Sequence, residues 1–345
     1  MKTLTIVSYQ SPNNTYIKEL IYNLGKYFKV FWGNDFFWDE EFFSDFYIIH
    51  WPENIKVADN RHSFSIDNLN DRIIILKKKG AIISAFFHDA NPHFCKNEWF
   101  NQLFRTVFTN MNIVFHLGNY SVKLLNQMYP EAQTIKNVVI KHALFESIPN
   151  YISKRQARQR FGLNQNDFVI AFLGSFRSQA EIMLMYKIFK RLQIKNKKLL
   201  IGGGEIYNYK SLITKWFSRL RKYYYTGRKV ITSFGKYVKD EDVQYYYNAA
   251  DIVLIPRLEN LNSGVAIMAL TFNIPFISPA IGNITELAEE TGNMTFPLAD
   301  IQTAVNKIEH FSTNKNLHLN ISSEYKGCAV AKAIAQQLNS YHAHL

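Results

Sequence analysis

The alternation of short apolar segments with segments of helical periodicity constrains the fold of this chain more than any other feature. The segments that favour strands are residues 4–9, 46–50, 73–77, 81–88 and 113–117 in the first half, and residues 168–174, 198–202, 230–234, 252–256 and 276–279 in the second. Strands separated by helices predict an α/β fold with parallel sheets covered on both faces. Ligands of such sheets bind at the carboxyl ends of the strands, so we expect functional residues on the loops that follow strands.

The length and a break in the pattern predict two domains. A chain of 345 residues suits two domains of roughly 150 to 180 residues, each with its own core. Near residues 149–154 a Pro-Asn turn precedes a new helix at residues 155–161, and the pattern then restarts with the strand at residues 168–174. We therefore place the domain boundary at residue 149.

Composition and cysteine content predict a cytoplasmic protein. Hydrophobic residues make up 47% of the chain, but its apolar runs are far shorter than the roughly 20 residues needed to cross a bilayer. Residues 1–7 contain one lysine and no small-residue cleavage site, so they read as a first strand rather than a signal peptide. Cys95 and Cys328 are too few for a disulfide framework or a structural zinc site.

The positive charge is concentrated in one part of the chain. The formal net charge is +12, but residues 151–229 contain 18 lysine and arginine residues against three acidic residues. A local basic field suits a nucleic acid, an anionic membrane surface or a nucleotide diphosphate, or is simply a solvated surface. Within it, residues 215–225 mix cations with aromatic rings. This mixture is found in surface helices packed on their own sheet, in interfacial membrane helices and on RNA-stacking surfaces.

Two loops of the N-terminal half carry side chains suited to acid–base chemistry. The first is His50-Trp51-Pro52-Glu53, and the second runs from His88-Asp89 to His93; each follows a predicted strand. The side chains that could take a proton from an attacking hydroxyl are Asp89, Glu53, His88 and His93. A cap or turn is the alternative role for any one of them. Two such clusters in one half of the chain favour a general base there.

Glycines and helix starts in the C-terminal half predict a seat for a diphosphate. The loops from Gly174 to Arg177 and from Gly202 to Gly204 follow strands, and glycines let phosphates approach backbone N–H groups. Residues 256–264 open a helix whose first N–H groups and dipole would face an anion. Residues 282–286 begin another helix, with N–H donors and a carboxylate for ribose hydroxyls. We expect the two helix starts to converge on one crevice, although a simple glycine turn is the alternative for each loop alone.

Taken together, these segments resemble the GT-B glycosyltransferases of bacterial surface-polysaccharide synthesis, whose chains carry HWPE and H-N-x-x-P-H loops. The matching segments, in order, are residues 11–13, 50–53, 88–93, 141–142, 174–177, 249–251, 262–264, 273–275 and 282–286. The resemblance implies two Rossmann-like domains facing across a cleft. It implies an acceptor-binding domain at residues 1–148, to which a helix at 327–345 crosses back. A nucleotide-sugar-binding domain would occupy residues 149–326, and no metal or other cofactor would be needed.

The resemblance also implies roles for individual residues. Residues implied to hold the nucleotide-sugar donor are Gly174, Arg177, Arg257, Asn262, Ser263, Gly264, Gly282 and Glu286. His88 would contact the donor sugar, and His50 and His93 would lie on the acceptor side. Asp89 is the best general base by chemistry; Glu53 and His93 remain alternatives, because relatives often carry asparagine at the position of Asp89.

Departures from the larger retaining family bear on the mechanism. That family carries two glutamates eight residues apart, and the corresponding positions here are Asn260 and Met268. The family often has a basic residue three positions after the arginine, but this chain has Ala180 there. Arg177 and Arg257 would therefore neutralise the diphosphate with help from helix N-termini. The serine-glycine loop at residues 263–264 looks like that of inverting beta-mannosyltransferases, including the dolichol-pathway enzyme. We therefore expect a single-displacement, inverting transfer.

The resulting hypothesis is a hexosyltransferase that moves a sugar from a nucleotide-diphosphate sugar to a glycan acceptor, which a polyprenyl lipid would hold. Such a protein would be cytoplasmic, with peripheral contact to the anionic inner face of the membrane. The rival hypotheses are a catalytically silent GT-B scaffold, favoured by the missing glutamate pair, and a basic nucleic-acid-binding protein. The sequence contains no RNA-binding signature, so we expect no nucleic-acid partner.

Overall fold

The computed structural model describes residues 1–11, 14–55, 64–90, 97–203, 223–224, 229–234, 238–314 and 317–343. The chain divides into two compact units. The first consists of Met1–Phe145 and Ser322–Leu345, and the second of Glu146–Ile321. Each unit contains one sheet in which every described pair of neighbouring strands is parallel, with helices between the strands. The predicted α/β class is confirmed.

The sheet of the first unit has the strand order β2-β1-β3-β4-β5-β6. Its strands are β1 Thr3–Val7, β2 Lys29–Trp32, β3 Phe46–Ile49, β4 Ile82–Phe86, β5 Ile113–His116 and β6 Lys136–Val139. Its helices are α1 Thr15–Leu24, α2 Asp35–Trp38, α3 Ile66–Lys78, α4 Glu98–Thr109, α5 Asn119–Met128 and the C-terminal helix, labelled α12, Gly327–Ala343. The strand order reverses between β1 and β3, and the loops that follow these two strands therefore leave the sheet in opposite directions.

The core of the first unit lies on both faces of this sheet. Strands β3, β4 and β5 are buried along their whole length, which explains why they are continuous apolar runs rather than alternating ones. Helix α12 packs against α1 and contributes five buried residues to the core: Val330, Ala331, Ile334, Ala335 and Leu338. The end of the chain therefore belongs to the same core as its beginning.

The prediction of a strand at residues 73–77 is wrong, because these residues form the second half of helix α3. Ser65 begins the helix, and its hydroxyl accepts a hydrogen bond from the backbone N–H of Asn68. The buried positions follow helical spacing and are Leu69, Arg72, Ile73 and Leu76. Ile74 and Ile75 are exposed. The aliphatic run resembles a buried strand only when it is considered without the residues that precede it.

The sheet of the second unit has the strand order β12-β11-β10-β7-β8-β9. Its strands are β7 Phe168–Leu173, β8 Lys197–Gly203, β9 Val230–Phe234, β10 Ile252–Leu254, β11 Phe276–Pro279 and β12 Met294–Phe296. Its described helices of three residues or more are α6 Lys154–Arg160, α7 Gln179–Arg191, α8 Asp240–Ala249, α9 Gly264–Thr271, α10 Ile284–Thr291 and α11 Ile301–Asn314. The order reverses between β10 and β7, so the loops that follow these two strands flank the switch point of the sheet.

Three strands that the sequence pattern did not predict, β2, β6 and β12, lie at edges of the two sheets. Most of their residues are only partly buried. An edge strand is covered less completely than a central one and needs fewer apolar residues. Their weak sequence signal follows from their position.

Asp251 joins helix α6 to the sheet of the second unit. Its Oδ2 accepts hydrogen bonds from Arg158 Nη2 at 2.8 Å and from the backbone N–H of Val169 at 2.7 Å. Its Oδ1 lies 2.7 Å from Lys154 Nζ. Arg158 is buried and also donates from Nε to the carbonyl of Ala249. This buried ion pair explains why an aspartate precedes the apolar strand β10.

Among the helices that the structure describes, none is both long and apolar enough to span a membrane.

Candidate functional site

Two histidines from adjacent strands of the first unit form a buried pair. His50 follows β3 and His88 lies just beyond β4, and the His50 Nδ1 atom is 2.9 Å from His88 Nε2. The rings are stacked, with the Phe86 ring 4.6 Å from that of His50 and the Trp51 ring 5.0 Å from that of His88. Burial lowers the pKa of His50 to about 3 and lowers that of His88 well below its ordinary value. Both rings are therefore neutral at physiological pH.

Trp51 adopts a backbone conformation that residues other than glycine rarely adopt. Its φ of +51° lies in the left-handed region, where a bulky residue is strained. The strained residue directly precedes the short 3-10 helix Pro52–Asn54, which carries Glu53. Local strain of this kind persists where the surrounding structure holds it in place, and it concentrates at functional sites.

Tyr16 and His142 complete an aromatic cluster around the histidine pair. Tyr16 lies in the first turn of α1, and its ring is 5.7 Å from that of His88 and 4.7 Å from that of His142. His142 follows β6, and its Nδ1–H donates to the carbonyl of Ala143 at 2.7 Å. Burial lowers the pKa of His142 to about 4. The sequence reasoning missed Tyr16, although its place in the first helix after β1 puts it beside the switch point.

Glu53 and Asp89 form a pair of interacting carboxyl groups. Burial raises the pKa of Glu53 to about 7, and the negative charge of Asp89 adds to this rise. The Glu53 Oε2 atom is shielded from solvent and has no hydrogen-bond partner among the described residues. Asp89 is partly exposed. A carboxyl group with a pKa near neutrality is suited to accept a proton from a hydroxyl group. His93, which the sequence places beside this pair, lies outside the described residues.

The loops at the switch point of the second sheet contain the residues for which the sequence predicts a diphosphate seat. Gly174 follows β7 with a φ of +146°, and a Cβ atom there would come within 3.3 Å of the Val265 side chain. Helix α9 begins after Ser263, whose hydroxyl accepts a hydrogen bond from the backbone N–H of Ala266. A Cβ added to Gly264 would meet nothing within 4 Å, so there is open space beside the first residue of the helix. A helix N-terminus favours an anion.

The start of helix α10 contacts the loop that leads into helix α9. Gly282 has a φ of +60°, and a Cβ atom there would lie only 2.1 Å from the carbonyl oxygen of Asn260. Asn283 Nδ2 donates to Asn262 Oδ1 at 2.8 Å. Only glycine fits this contact. Glu286 lies in the first turn of α10 and is partly exposed.

Asn260, whose backbone carbonyl oxygen lies against Gly282, has a buried side-chain amide. Its Oδ1 and Nδ2 atoms are both shielded from solvent, and neither has a hydrogen-bond partner among the residues that the structure describes. Buried polar atoms are normally paired, so an amide in this state is suited to a ligand's hydroxyl groups.

Arg177 and Arg257, the two arginines that are predicted to hold the diphosphate, have different surroundings. Arg177 is partly exposed, and its Nη1 donates to the carbonyl of Glu259 at 3.0 Å. Arg257 is buried, and its Nη1 lies 2.8 Å from Glu181 Oε2. Burial lowers the pKa of Arg257, while the charge of Glu181 opposes this effect. The sequence reasoning missed Glu181, which the chain places 76 residues away from its partner.

In the part of the chain that the structure describes, no group of three or more histidine, cysteine, aspartate or glutamate side chains is arranged to hold a metal ion.

The comparisons with known proteins agree with this architecture. The sequence profile of the family "Glycosyl transferases group 1" matches residues 153–326, which is about half of the chain. No protein of curated function matches the sequence significantly.

Several solved structures resemble the whole chain. Sucrose-phosphate synthase from Thermosynechococcus elongatus superposes with a TM-score of 0.63 at 12% identity, covering 100% of this chain and 97% of that one. Anabaena Alr3699/HepE in complex with UDP and glucose has a TM-score of 0.66 at 11% identity, covering 100% and 98%. The lipopolysaccharide outer core galactosyltransferase WaaB in its apo form has a TM-score of 0.56 at 13% identity, covering 100% and 99%. At these identities the likeness shows the fold, and it confirms the predicted GT-B class.

Proposed function

The chain belongs to the group 1 glycosyl transferases, and from this premise we propose that it moves a hexose from a nucleotide-diphosphate sugar to a glycan acceptor. The observation that carries this proposal is the meeting of two loops at the switch point of the second sheet. Arg177, on the loop after β7, donates to the carbonyl of Glu259, on the loop after β10. The start of α9, which has open space beside Gly264, belongs to the second of these loops. An arginine and a helix N-terminus together suit the two negative charges of a diphosphate.

Contacts around this seat support an assignment for the rest of the donor. Glu286, in the first turn of α10, would accept hydrogen bonds from ribose hydroxyls, and the Asn260 amide would contact hydroxyls of the donor. Anabaena HepE, which shares the fold, was solved in complex with UDP and glucose. A nucleotide-sugar is therefore the donor class that we test first.

For the chemical step we propose a single displacement with inversion. The acceptor hydroxyl attacks the anomeric carbon, the bond from that carbon to the diphosphate oxygen breaks, and the nucleotide diphosphate leaves. The charge that develops on the diphosphate would be stabilised by Arg177 and the N-terminus of α9. No metal ion is required for this stabilisation.

The hydroxyl proton would pass to the Glu53–Asp89 pair. We assign the role of base to Asp89, because it is partly exposed while one carboxylate oxygen of Glu53 is shielded from solvent. Glu53 is the rival, since the ideal pKa of a base lies near the working pH. His88 would contact the donor sugar. His50 is only 1% exposed, so we propose that it acts by holding His88.

A lipid-linked acceptor and peripheral membrane contact complete the proposal. The basic and aromatic segment at residues 215–225 lies outside the described residues, apart from Tyr223 and Tyr224, which are exposed. The excess of lysine and arginine between residues 151 and 229 supports attraction to an anionic surface.

The experiment that tests the function is a screen of nucleotide-sugars. Purified protein is incubated with UDP-, GDP-, ADP- and TDP-linked hexoses, and thermal stabilisation and release of the nucleotide diphosphate are measured. We expect one nucleotide class to stabilise the protein and its sugar conjugate to be hydrolysed slowly without an acceptor. The variant Lys187→Ala, which removes an exposed cation from α7, serves as the charge control for Arg177→Ala. The proposal would be contradicted if none of the nucleotides stabilised the protein.

A further inference from the structure

Glu181 is a buried carboxylate that no part of the proposed reaction uses. It lies in the first turn of α7, where the hydroxyl of Ser178 caps the helix by accepting a hydrogen bond from the backbone N–H of Glu181. Its side chain is 2% exposed. A helix N-terminus favours an acidic residue in its first turn, so the position suits a glutamate.

The Oε2 atom of Glu181 joins two segments of the diphosphate seat. It accepts a hydrogen bond from the backbone N–H of Arg177 at 2.7 Å and another from Arg257 Nη1 at 2.8 Å. The first donor belongs to the loop after β7 and the second to the loop after β10. One oxygen atom therefore ties together the two loops that flank the switch point.

Two cations lie near Glu181. The guanidinium groups of Arg177 and Arg257 are close enough for the charge of the first to lower the pKa of the second. The carboxylate of Glu181 is bonded to the Arg257 guanidinium and to the backbone N–H of Arg177. Two neighbouring guanidinium groups suit an anion with more than one negative charge.

We propose that Glu181 is a positioning residue for the donor diphosphate. By bonding to both groups, Glu181 fixes the distance between the Arg257 guanidinium and the Arg177 backbone. The inference rests on the proposed function, because it takes the anion to be the diphosphate of the donor. Glu181 does not touch the ligand. It holds the two loops in the arrangement that the ligand needs, so the donor binds to a site that is already formed.

Glu181 could act through its charge or through the position of its oxygen atom, and the two roles predict different effects on nucleotide binding. Two conservative substitutions distinguish these roles. Glu181→Gln keeps the length of the side chain and an acceptor oxygen but removes a negative charge near the anion site. Glu181→Asp keeps the charge but shortens the side chain by one methylene, so one oxygen cannot reach both donors in the same geometry. If Glu181 acted only as a counter-charge, Gln would tighten anion binding and Asp would leave it unchanged.

The experiment measures binding of UDP, GDP and ADP by calorimetry, together with donor KM and kcat for the nucleotide-sugar that the wild type uses. For Glu181→Asp we expect the affinity for the preferred nucleotide to fall roughly 10- to 100-fold, as misplaced supporting groups commonly cause. The donor KM should rise by a similar factor with a smaller change in kcat. Glu181→Gln should retain affinity to within about threefold, because the acceptor oxygen remains. The same two substitutions at Glu289, an exposed residue of α10, are the matched controls.

Melting temperatures of all variants separate stability from positioning, since a purely structural role lowers the melting temperature and leaves the affinity of the folded protein unchanged. The inference would be overturned if Glu181→Asp bound the nucleotide with wild-type affinity. Tighter nucleotide binding by Glu181→Gln, together with unchanged binding by Glu181→Asp, would show that Glu181 acts only as a counter-charge. If Glu181→Gln does not fold, the result for Glu181→Asp decides alone. A wild-type protein that binds none of the three nucleotides would overturn the proposed donor site, and this inference with it.

Discussion

The Nδ1 atom of His50 lies 2.9 Å from the Nε2 atom of His88, so two histidines that are 38 residues apart in the chain share one proton between their rings. The other ring nitrogen of His50, Nε2, is buried without a partner among the described residues. A buried N–H without an acceptor is rarer than a buried lone pair without a donor. The proton of His50 therefore belongs on Nδ1, which donates to His88 Nε2 and leaves the proton of neutral His88 on Nδ1.

The first prediction is a loss of stability in acid that depends on buried histidines. Burial lowers the folded-state pKa of His50 from 6.5 to about 3 and that of His116 from 6.5 to about 4. Because the unfolded chain binds the proton first, each contributes stability that is present above pH 6.5 and is lost as the pH falls towards the folded-state pKa. The free energy of unfolding should fall by about 1.4 kcal/mol per pH unit per histidine in this range.

Urea unfolding at a series of pH values checks this slope. His116→Asn should reduce it by the share of one histidine, whereas His310→Gln, at an exposed position of α11, should leave it unchanged. Equal slopes in all three proteins would contradict the assignment of buried neutral histidines.

The second prediction concerns the general base. Asp89→Asn keeps the shape of the side chain and removes its basicity, so we expect kcat to fall by roughly 100- to 10,000-fold with donor affinity nearly unchanged. Glu53→Gln should have a smaller effect on kcat. The reverse order of effects would move the role of base to Glu53, and a product of retained anomeric configuration would exclude the single displacement.

The pH dependence of kcat/KM provides a separate check on the same pair. Burial and the charge of Asp89 raise the pKa of Glu53 to about 7, so a base at Glu53 would make activity rise with pH through a limb near neutrality. If Asp89 is the base, we expect no such limb, because Asp89 is already charged while Glu53 titrates. A limb near pH 7 that is lost in Glu53→Gln would move the role of base to Glu53.

The third prediction concerns Arg177 in the diphosphate seat. Arg177→Ala should weaken binding of the preferred nucleotide diphosphate by about 1.5 to 3 kcal/mol, the range for hydrogen bonds to charged groups. Arg177→Lys should recover part of the loss, since it keeps the charge without the planar fork. Calorimetry with Lys187→Ala as the control measures the difference, and an unchanged affinity in Arg177→Ala would remove this residue from the seat.

The fourth prediction concerns stability of the second unit. Asp251→Ala leaves the buried Arg158 without its counter-charge, so we expect the free energy of unfolding to fall by about 3 to 5 kcal/mol. Lys154 is bonded to the same carboxylate, but its side chain is 49% exposed. Lys154→Ala should therefore cost less than about 1 kcal/mol. Chemical denaturation of the two variants gives both values, and similar losses would contradict the difference in burial.

The fifth prediction concerns the segment at residues 215–225, most of which lies outside the described residues. If it binds an anionic membrane surface, the protein should sediment with phosphatidylserine-containing vesicles at low salt and be released as salt is added. Replacing Arg219, Arg221 and Lys222 with glutamine should weaken this binding. Vesicles of phosphatidylcholine alone are the control. A protein that stays in the supernatant at low ionic strength would contradict the proposal.

The strand and helix positions that sequence reasoning predicted well are those with strong local signals. Residues 168–174 were predicted as a strand and form β7 at Phe168–Leu173, because a continuous apolar run between polar turns is typical of a central parallel strand. The helix predicted after Gly264 begins there because Ser263 caps it. The prediction of a strand at residues 73–77 was wrong because its local signal is ambiguous. A run of four aliphatic residues shows neither the period of a strand nor that of a helix.

The sequence by itself therefore determined which loops follow strands, and with them the chemistry available at each sheet edge: His50, Glu53, His88 and Asp89 in one unit and the glycine, arginine and serine loops in the other. Only the tertiary structure decided which of these side chains meet. In the folded chain, His50 lies against His88, and the Tyr16 ring packs on that of His88. Glu53 interacts with Asp89, and Arg257 bonds to Glu181. The physical reason is that strand order and burial, which set these contacts and raise or lower the pKa values of the groups involved, arise from packing between residues that are far apart in the chain.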